Sequence, residues 1–520
     1  MLKNILVVGD LILDRRVECT VDRLAPEAPV LVGRTTEDDA HIDEYTPGGA
    51  GHVAVSAAML GANTILVVPT STEKLPDAVM RKALKRIDAY ATQLGRDFWL
   101  DYDPVDVNSP FRVPTKTRYV ESATGRHLFR FDCERELSEQ AELLQDGQVL
   151  VTAQSVIDDA LYGAEDDINP GVDTVILVDY DGGAFADHAA TAEFIANNSD
   201  CRIIAAPKPA NAKAFIGADC VVMNESELYQ LYRDWGQHRQ EIFYACRQMM
   251  SVYNWKQMIC TRGSAGVAYV INKFGEIPAS TDTRAVVDVS GAGDVVTATY
   301  AVTDDVNHAN VAAGLFVRKP GMAPVTQEEL DAGLIEDKIC APDEAIRRTA
   351  VHRNRGDGIT FTNGHFDLLH KGHMHLLLAA SRGGDFDTCR PVTSSWQHGR
   401  ITINEIGPAI QPLPAYFVVA LNTDASAKRG KGDDRPFQPL ELRAKTIAQL
   451  PFVDVVTWFD EDTPESLIRG IQPDALVKGS SNASETIPGA EFVRQHGGEV
   501  LLVDEIDEYS TTSTVSGLLH

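Results

Sequence analysis

The chain has 520 residues, room for two to four domains at roughly 100–200 residues each. Hydrophobic residues make up 44% and charged residues 23%, and 47 basic against 75 acidic side chains leave a formal net charge of −28. That is a soluble globular composition, without the basic footprint that coating nucleic acid or anionic lipid requires.

Residues 3–8 are an apolar run that predicts a buried strand, with Gly9 and Asp10 at its end, where a parallel sheet presents groups to ligands. The stretch is too short and too acid-interrupted for a signal peptide, and no apolar run reaches ~18 residues, so no membrane span is expected. Similar strand-like runs recur at 64–68, 174–179, 202–206, 219–223 and 258–260, with helical patterns between several of them. This alternation predicts a mainly parallel α/β sheet. Residues 15–45 and 116–132 break it with polar alternation suited to a small β flap. Around 319–357 the chain becomes Pro- and Gly-bearing, then helical and acidic, which places a linker at 326–357 between a first domain at 1–325 and a second at 358–520. A strand at 359–362 opens the second α/β unit, with later strands at 416–421, 453–458, 475–477 and 499–503. Residues 384–415 carry four prolines and read as a surface insertion, or as an interface or lid. Eight scattered cysteines with no Cys-x-x-Cys spacing predict reduced thiols in a cytoplasmic protein.

In the first part, Asp288-Val289-Ser290-Gly291-Ala292-Gly293-Asp294 precedes a helical run. Glycines at a loop-to-helix junction let backbone N–H groups approach an anion, and the helix dipole adds positive charge there. Asp294 is then placed to take a proton from a hydroxyl that attacks phosphorus. The plain alternative is a Gly-rich turn with a helix-capping Asp. Asn224-Glu225-Ser226-Glu227 follows one strand and suits water-mediated binding of Mg²⁺ and phosphate, while Thr261 to Gly266, with Gly263 between, follows another and suits a nucleotide. Near the N-terminus, Asp10 and Asp14 precede Gly48-Gly49, where carboxylates and a close backbone approach suit sugar hydroxyls.

In the second part, Thr362-Asn363-Gly364-His365-Phe366-Asp367 leads into His370-Lys371-Gly372-His373 between a strand and a helix. Gly372 permits a tight turn, and two imidazoles at a helix start can stabilise a triphosphate as its α-phosphorus is attacked. Two satisfied helix-start histidines, or a metal pair, are the plain alternatives.

The first set of motifs resembles the ribokinase-like (PfkB) sugar kinases over about residues 3–330. That resemblance implies Asp294 as catalytic base and Gly291, Ala292 and Gly293 as anion hole. It implies Asn224 and Glu227 at Mg²⁺ and phosphate, Glu227 being the metal-linked carboxylate, and Thr261, Gly263 and Gly266 at the nucleotide. It further implies Asp10, Asp14, Gly48, Gly49, His52, Lys116, Arg118 and Lys208 at the sugar, and a β lid that often makes a dimer contact. His52 stands where relatives usually have asparagine. The second set resembles the cytidylyltransferase-like nucleotidyltransferases, with a Rossmann-like fold. It implies that Thr362, Asn363, Gly364, Lys371, Gly372, Asn422, Asp424, Arg443, Lys478, Ser510, Thr511 and Thr512 bind the nucleotide beside His370 and His373. Together the two halves resemble the bifunctional heptose enzymes of lipopolysaccharide-core synthesis. Those phosphorylate D-glycero-D-manno-heptose 7-phosphate at O1 and make ADP-heptose from heptose 1-phosphate and ATP. A kinase fused to a cytidylyltransferase for another polyol phosphate, or a kinase domain kept only for dimerisation or ligand sensing, are the rival readings.

Overall fold

In a computed structural model the placed residues are 2–34, 43–70, 74–106, 113–123, 126–133, 148–162, 171–234, 241–271, 274–277, 286–381, 389–391, 394–397, 400–403, 415–480 and 487–503. The chain divides into two compact units, Met1–Gly333 and Leu334–His520.

The first unit is built on a nine-stranded sheet. From one edge its strands run Leu100–Asp106, Asn63–Thr70, Asn4–Gly9, Thr174–Val178, Arg202–Ala206, Cys220–Asn224 and Gln257–Thr261, all parallel. The antiparallel hairpin Val267–Val270 and Phe274–Ile277 completes it. The apolar runs are buried because helices cover the sheet: Ala50–Met59 and Ala292–Thr303 contribute Val53, Ala57, Val296 and Ala298 to the same core as Leu6, Val7 and Ile176. A parallel sheet of this kind reads as continuous hydrophobic strands.

The expected flap is a five-stranded sheet. Its long strand Leu11–Leu24 pairs antiparallel with Leu31–Arg34 and Asp43–Gly49, and parallel with Thr115–Glu121, which pairs with His127–Cys133. Leu11–Leu24 continues almost directly from the central strand Asn4–Gly9, so the flap is an outgrowth of the main sheet at its ligand-facing end.

Residues 326–357 are two helices, where the sequence suggested a linker. Gln327–Asp337 includes the point of division, and Pro342–Arg355 starts with proline in its first turn, where the missing N–H costs nothing. Ala345 of that second helix is fully buried in the core of the second unit.

The second unit has a six-stranded sheet in the order Cys389–Pro391, Glu499–Val503, Ala475–Gly479, Gly358–Gly364, Ala415–Asn422 and Val455–Phe459. All neighbours are parallel except Cys389–Pro391, which joins Glu499–Val503 antiparallel. Within the expected insertion 384–415, the described residues also form a hairpin of Ser394–Gln397 and Arg400–Ile403.

Candidate functional sites

In the first unit a cavity of about 590 Å³ opens at the strand ends. It is lined by Asn224 and Glu227, by Thr261, Gly263 and Gly266, by Lys208, and by Gly291, Ala292, Gly293 and Asp294. These residues are far apart in sequence, and the parallel sheet brings them to one rim. Gly291 has φ 85° and caps the helix Ala292–Thr303 without any side-chain bond to its N–H groups; the Ala292 N–H donates to the Val289 carbonyl at 3.3 Å, which leaves the following N–H groups of the first turn for a ligand. A Cβ on Gly291 would lie 2.5 Å from Met322 Cε, whereas Gly293 has open space.

Asp294 is 5% exposed. Its Oδ1 accepts from the Tyr180 hydroxyl at 2.8 Å, and its Oδ2 is buried without a hydrogen-bond partner. Burial pushes the carboxyl up to about 7; the Tyr180 hydrogen bond and Lys208 pull it down, and Asp14 pushes it further up. A base poised near neutrality suits proton abstraction.

Asn224 and Glu227 form a reciprocal cap. The Glu227 N–H donates to Asn224 Oδ1 at 2.9 Å, and the Asn224 N–H donates to Glu227 Oε2 at 3.0 Å. This is capping-box geometry at the start of the helix Glu225–Asp234. The other Glu227 oxygen accepts from Lys208 Nζ at 2.7 Å.

The expected sugar-binding residues separate. Asp10 is buried, and its carboxylate accepts from the N–H groups of Tyr180, Gly182 and Ala184 at 2.8, 2.9 and 3.0 Å. It therefore fixes the loop after the strand Thr174–Val178. Asp14 pairs with Arg118 of the flap. A Cβ on Gly48 would stand 2.2 Å from Asp14 Oδ2, and one on Gly49, where φ is 58°, 2.5 Å from the Asp10 carbonyl. Glycine is thus required at both positions. Lys116 Nζ lies 5.2 Å from the centre of the Tyr180 ring. His52 is 1% exposed, packs 5.3 Å from Phe316, and has Nε2 buried without a partner. Burial lowers it to about 4, so it is a neutral ring behind Gly291.

Tyr180 and Asp179 were not anticipated from sequence. Asp179 accepts from the N–H groups of Lys208 and Asp181 at 2.9 and 2.8 Å, and burial beside Asp10 pushes it up to about 7. The available signal was Asp179-Tyr180-Asp181-Gly182-Gly183 at a strand end, the same placement as Gly9-Asp10.

In the second unit the two histidines meet at the start of the helix Lys371–Ser381. Their rings stack with centroids 3.7 Å apart. His373 Nδ1 is 3.1 Å from the Leu368 carbonyl, which can only accept, so Nδ1 carries the proton. The His373 N–H points at His370 Nδ1 at 3.4 Å. Burial, then His370, lowers His373 to about 4. Lys371 and Gly372 lie in the first turn.

Lys478 Nζ donates to Asn363 Oδ1 at 2.5 Å and to the Asn363 carbonyl at 3.2 Å, across adjacent strand ends; burial lowers it to about 8. Thr362 Oγ1 donates to the Val477 carbonyl at 2.9 Å, which ties the same two strands together. Beside Gly364, the ring of Phe366 leaves a Cβ only 3.0 Å of room. His365 has Nε2 buried without a partner and is lowered to about 4 by burial and then Lys431.

Arg443, expected at the triphosphate, is fully buried instead. It donates to the carbonyls of Gln438, His365 and Asn422 at 2.9, 2.8 and 2.9 Å and to Asp424 Oδ1 at 2.7 Å. Asp424 also accepts from the Leu440 N–H, and Asn422 Nδ2 donates to Ser426 Oγ, both at 2.9 Å. These three residues brace the rim from beneath. Ser510, Thr511 and Thr512 lie outside the described residues.

A glycine-rich turn and a buried carboxyl at the rim of a parallel sheet are the arrangement expected of a carbohydrate kinase of the pfkB type, here followed by a second α/β unit with a histidine pair. The pfkB family of carbohydrate kinases matches residues 172–323. Two relatives named Bifunctional protein HldE match almost end to end. The one from Marinomonas sp. is 30% identical over 99% of this chain and 97% of its own length. The one from Mesorhizobium japonicum is 33% identical over 99% and 94%. The chain belongs to the family of bifunctional HldE proteins. Among solved structures, ribokinase from Thermotoga maritima aligns over 64% of this chain and 99% of its own at 20% identity, with a TM-score of 0.44.

Proposed function

We infer that the chain is a bifunctional transferase of ADP-heptose biosynthesis. Its first unit phosphorylates D-glycero-D-manno-heptose 7-phosphate at O1 with ATP, and its second transfers the adenylyl group of ATP to heptose 1-phosphate, releasing pyrophosphate. The observation that carries the chemistry is Asp294, which lines the cavity with Gly291, Ala292 and Gly293 and keeps a buried Oδ2 without a hydrogen-bond partner.

In the kinase reaction Oδ2 takes the proton of the anomeric hydroxyl as O1 attacks the γ-phosphorus. The N–H groups at the helix start meet the charge that develops on the transferred phosphoryl. Asp14 and Arg118, with Lys116, sit in the flap strands that would cover the sugar phosphate. Among the described residues no cluster of His, Cys, Asp or Glu builds a metal cage. This fits Mg²⁺, which is usually carried on substrate phosphates with one or two carboxylates. Glu227 and Asn224 would hold it through water, and it would neutralise phosphate charge.

In the adenylyl transfer, a sugar phosphate oxygen attacks the α-phosphorus in line. His370 acts as a donor to the triphosphate. His373 Nε2 becomes one on protonation, which a bound triphosphate favours. Lys478 adds a cation at the neighbouring strand end. A homodimer through the flap is consistent with the exposed Leu24, Leu31, Phe129 and Phe131 on its strands. No helix among the described residues is long and apolar enough to cross a membrane, and a cytoplasmic enzyme using ATP is consistent with the seven described cysteines being unpaired.

The test is mass spectrometry of two reactions. The heptose 7-phosphate with MgATP is expected to give the bisphosphate, and heptose 1-phosphate with ATP to give ADP-heptose and pyrophosphate. Absence of product from either, or use of CTP in preference to ATP, would overturn the corresponding half.

A further inference from the structure

Tyr180 carries a role that the kinase chemistry leaves unassigned. Its hydroxyl donates to Asp294 Oδ1 at 2.8 Å, while Oδ2 of the same carboxyl is buried with no partner. The two oxygens of the base are therefore not equivalent. The tyrosine is itself held firmly. Its N–H donates to the buried Asp10 at 2.8 Å, and the same carboxylate binds the N–H groups of Gly182 and Ala184 at 2.9 and 3.0 Å. A Cβ on Gly49 would come within 3.3 Å of the ring carbon Cδ2, so the backbone there presses against one side of the ring. Lys208 and Lys116 place Nζ 4.7 and 5.2 Å from the ring centre, as cations over an aromatic face.

We propose that Tyr180 is a positioning residue for phosphoryl transfer: its hydroxyl fixes Oδ1 of Asp294, so that Oδ2 is the oxygen presented to the attacking sugar hydroxyl. The proton leaves O1 for Oδ2 as the O1–P bond forms, and the bond from phosphorus to the leaving ADP oxygen breaks. Tyr180 keeps its own proton throughout, because burial and the facing Asp294 carboxylate hold the phenol well above its ordinary range. The other charged groups facing this pair are Asp14 and Lys116 from the flap strands, Lys208 after the strand Arg202–Ala206, and Glu227 at the helix Glu225–Asp234. The hydroxyl favours the ionised carboxylate, which keeps the base available near neutral pH despite its burial.

This inference rests on Asp294 being the base, and the experiment separates the two. Kinase rates of the full chain are measured against pH with MgATP and heptose 7-phosphate for the parent, Tyr180→Phe and Asp294→Asn. Loss of a hydrogen bond to a charged group is expected to move the acid limb of kcat up by about one pH unit in Tyr180→Phe. That corresponds to a fall of about fivefold in kcat at pH 7, with KM for ATP changed less than about twofold. Replacing Tyr180 with a ring-fluorinated tyrosine, a more acidic donor of nearly the same shape, moves the limb down, and this variant carries the test if Tyr180→Phe does not fold. An acid limb that stays in place in the folded variants overturns the role of Tyr180, whatever happens to kcat. A fully active Asp294→Asn overturns the base itself. An inactive Asp294→Asn with an unmoved limb in the tyrosine variants overturns only the positioning role.

Discussion

Asp294, the proposed base, lies where water scarcely reaches it, and its burial has two consequences of opposite sign. Raised to about 7, the carboxyl is ionised only as pH passes neutrality, so kinase kcat should climb through about pH 7. Asp294→Asn should lower kcat by about 10²–10⁴-fold, the usual worth of a general base, in a steady-state assay. For stability, the folded value lies above the ordinary 3.8. The favourable contribution is then complete below pH ~4 and is lost as pH rises through about 7. Denaturant unfolding should therefore show Asp294→Asn more stable than the parent at pH 8, with a smaller gap at pH 5. Arg443 makes the contrasting case. Its guanidinium is fully buried on three carbonyls and Asp424, so Arg443→Met leaves buried acceptors unmet and should cost about 3–5 kcal/mol in the unfolding of the second unit. Asp294 and the glycines were legible as one cluster because a loop-to-helix turn fixes them locally, and the structure sets them together in the cavity lining. Sequence reading set Arg443 at the triphosphate because nothing in a linear string tells whether a cation faces a ligand or the carbonyls beneath it. Tyr180 was missed for a related reason: its contact with Asp294 spans 114 positions.

The helix Glu225–Asp234 shows how one element can serve fold and site together. Asn224 and Glu227 close its first turn reciprocally, while the second Glu227 oxygen meets Lys208. Asn224→Ala should cost about 1 kcal/mol, as loss of an N-cap does. Glu227→Gln keeps an acceptor for the Asn224 N–H but loses the charge of a partly buried pair with Lys208, so it should cost about 1 kcal/mol or less in denaturant titration, while kinase kcat falls. An unchanged kcat in folded Glu227→Gln would make the motif a helix cap alone. The buried parallel strands were readable because an apolar run covered on both faces has little else it can be. Leu100–Asp106 was not, because Asp101, Asp103, Pro104 and Asp106 resemble a loop; at a sheet edge such residues are tolerated. The segment 326–357 was read as a helical, acidic linker because the strand alternation stops there; it forms the helices Gln327–Asp337 and Pro342–Arg355, whose acidic first turns suit the helix dipole.

At the scale of the chain, both proposed reactions bind phosphates against a net charge of −28. The attraction must be local. In the first unit it comes from an uncapped helix start with Lys116 and Lys208 near Tyr180. In the second it comes from two imidazoles and Lys478 at strand ends. Each set lies within its own compact unit and draws on its own sheet, so the two chemistries should fail separately. Asp294→Asn should lower bisphosphate formation by about 10²–10⁴-fold and leave pyrophosphate release from heptose 1-phosphate and ATP within about twofold of the parent, since effects at sites with no shared residues add. His370→Ala with His373→Ala should do the reverse, lowering adenylyl transfer by about 10²-fold or more, as loss of oxyanion-type donors does. Both variants are assayed for both products on the same folded preparations. A fall in both activities from either substitution in a folded variant would mean that one constellation serves both reactions, and the division of labour between the two sheets would be wrong.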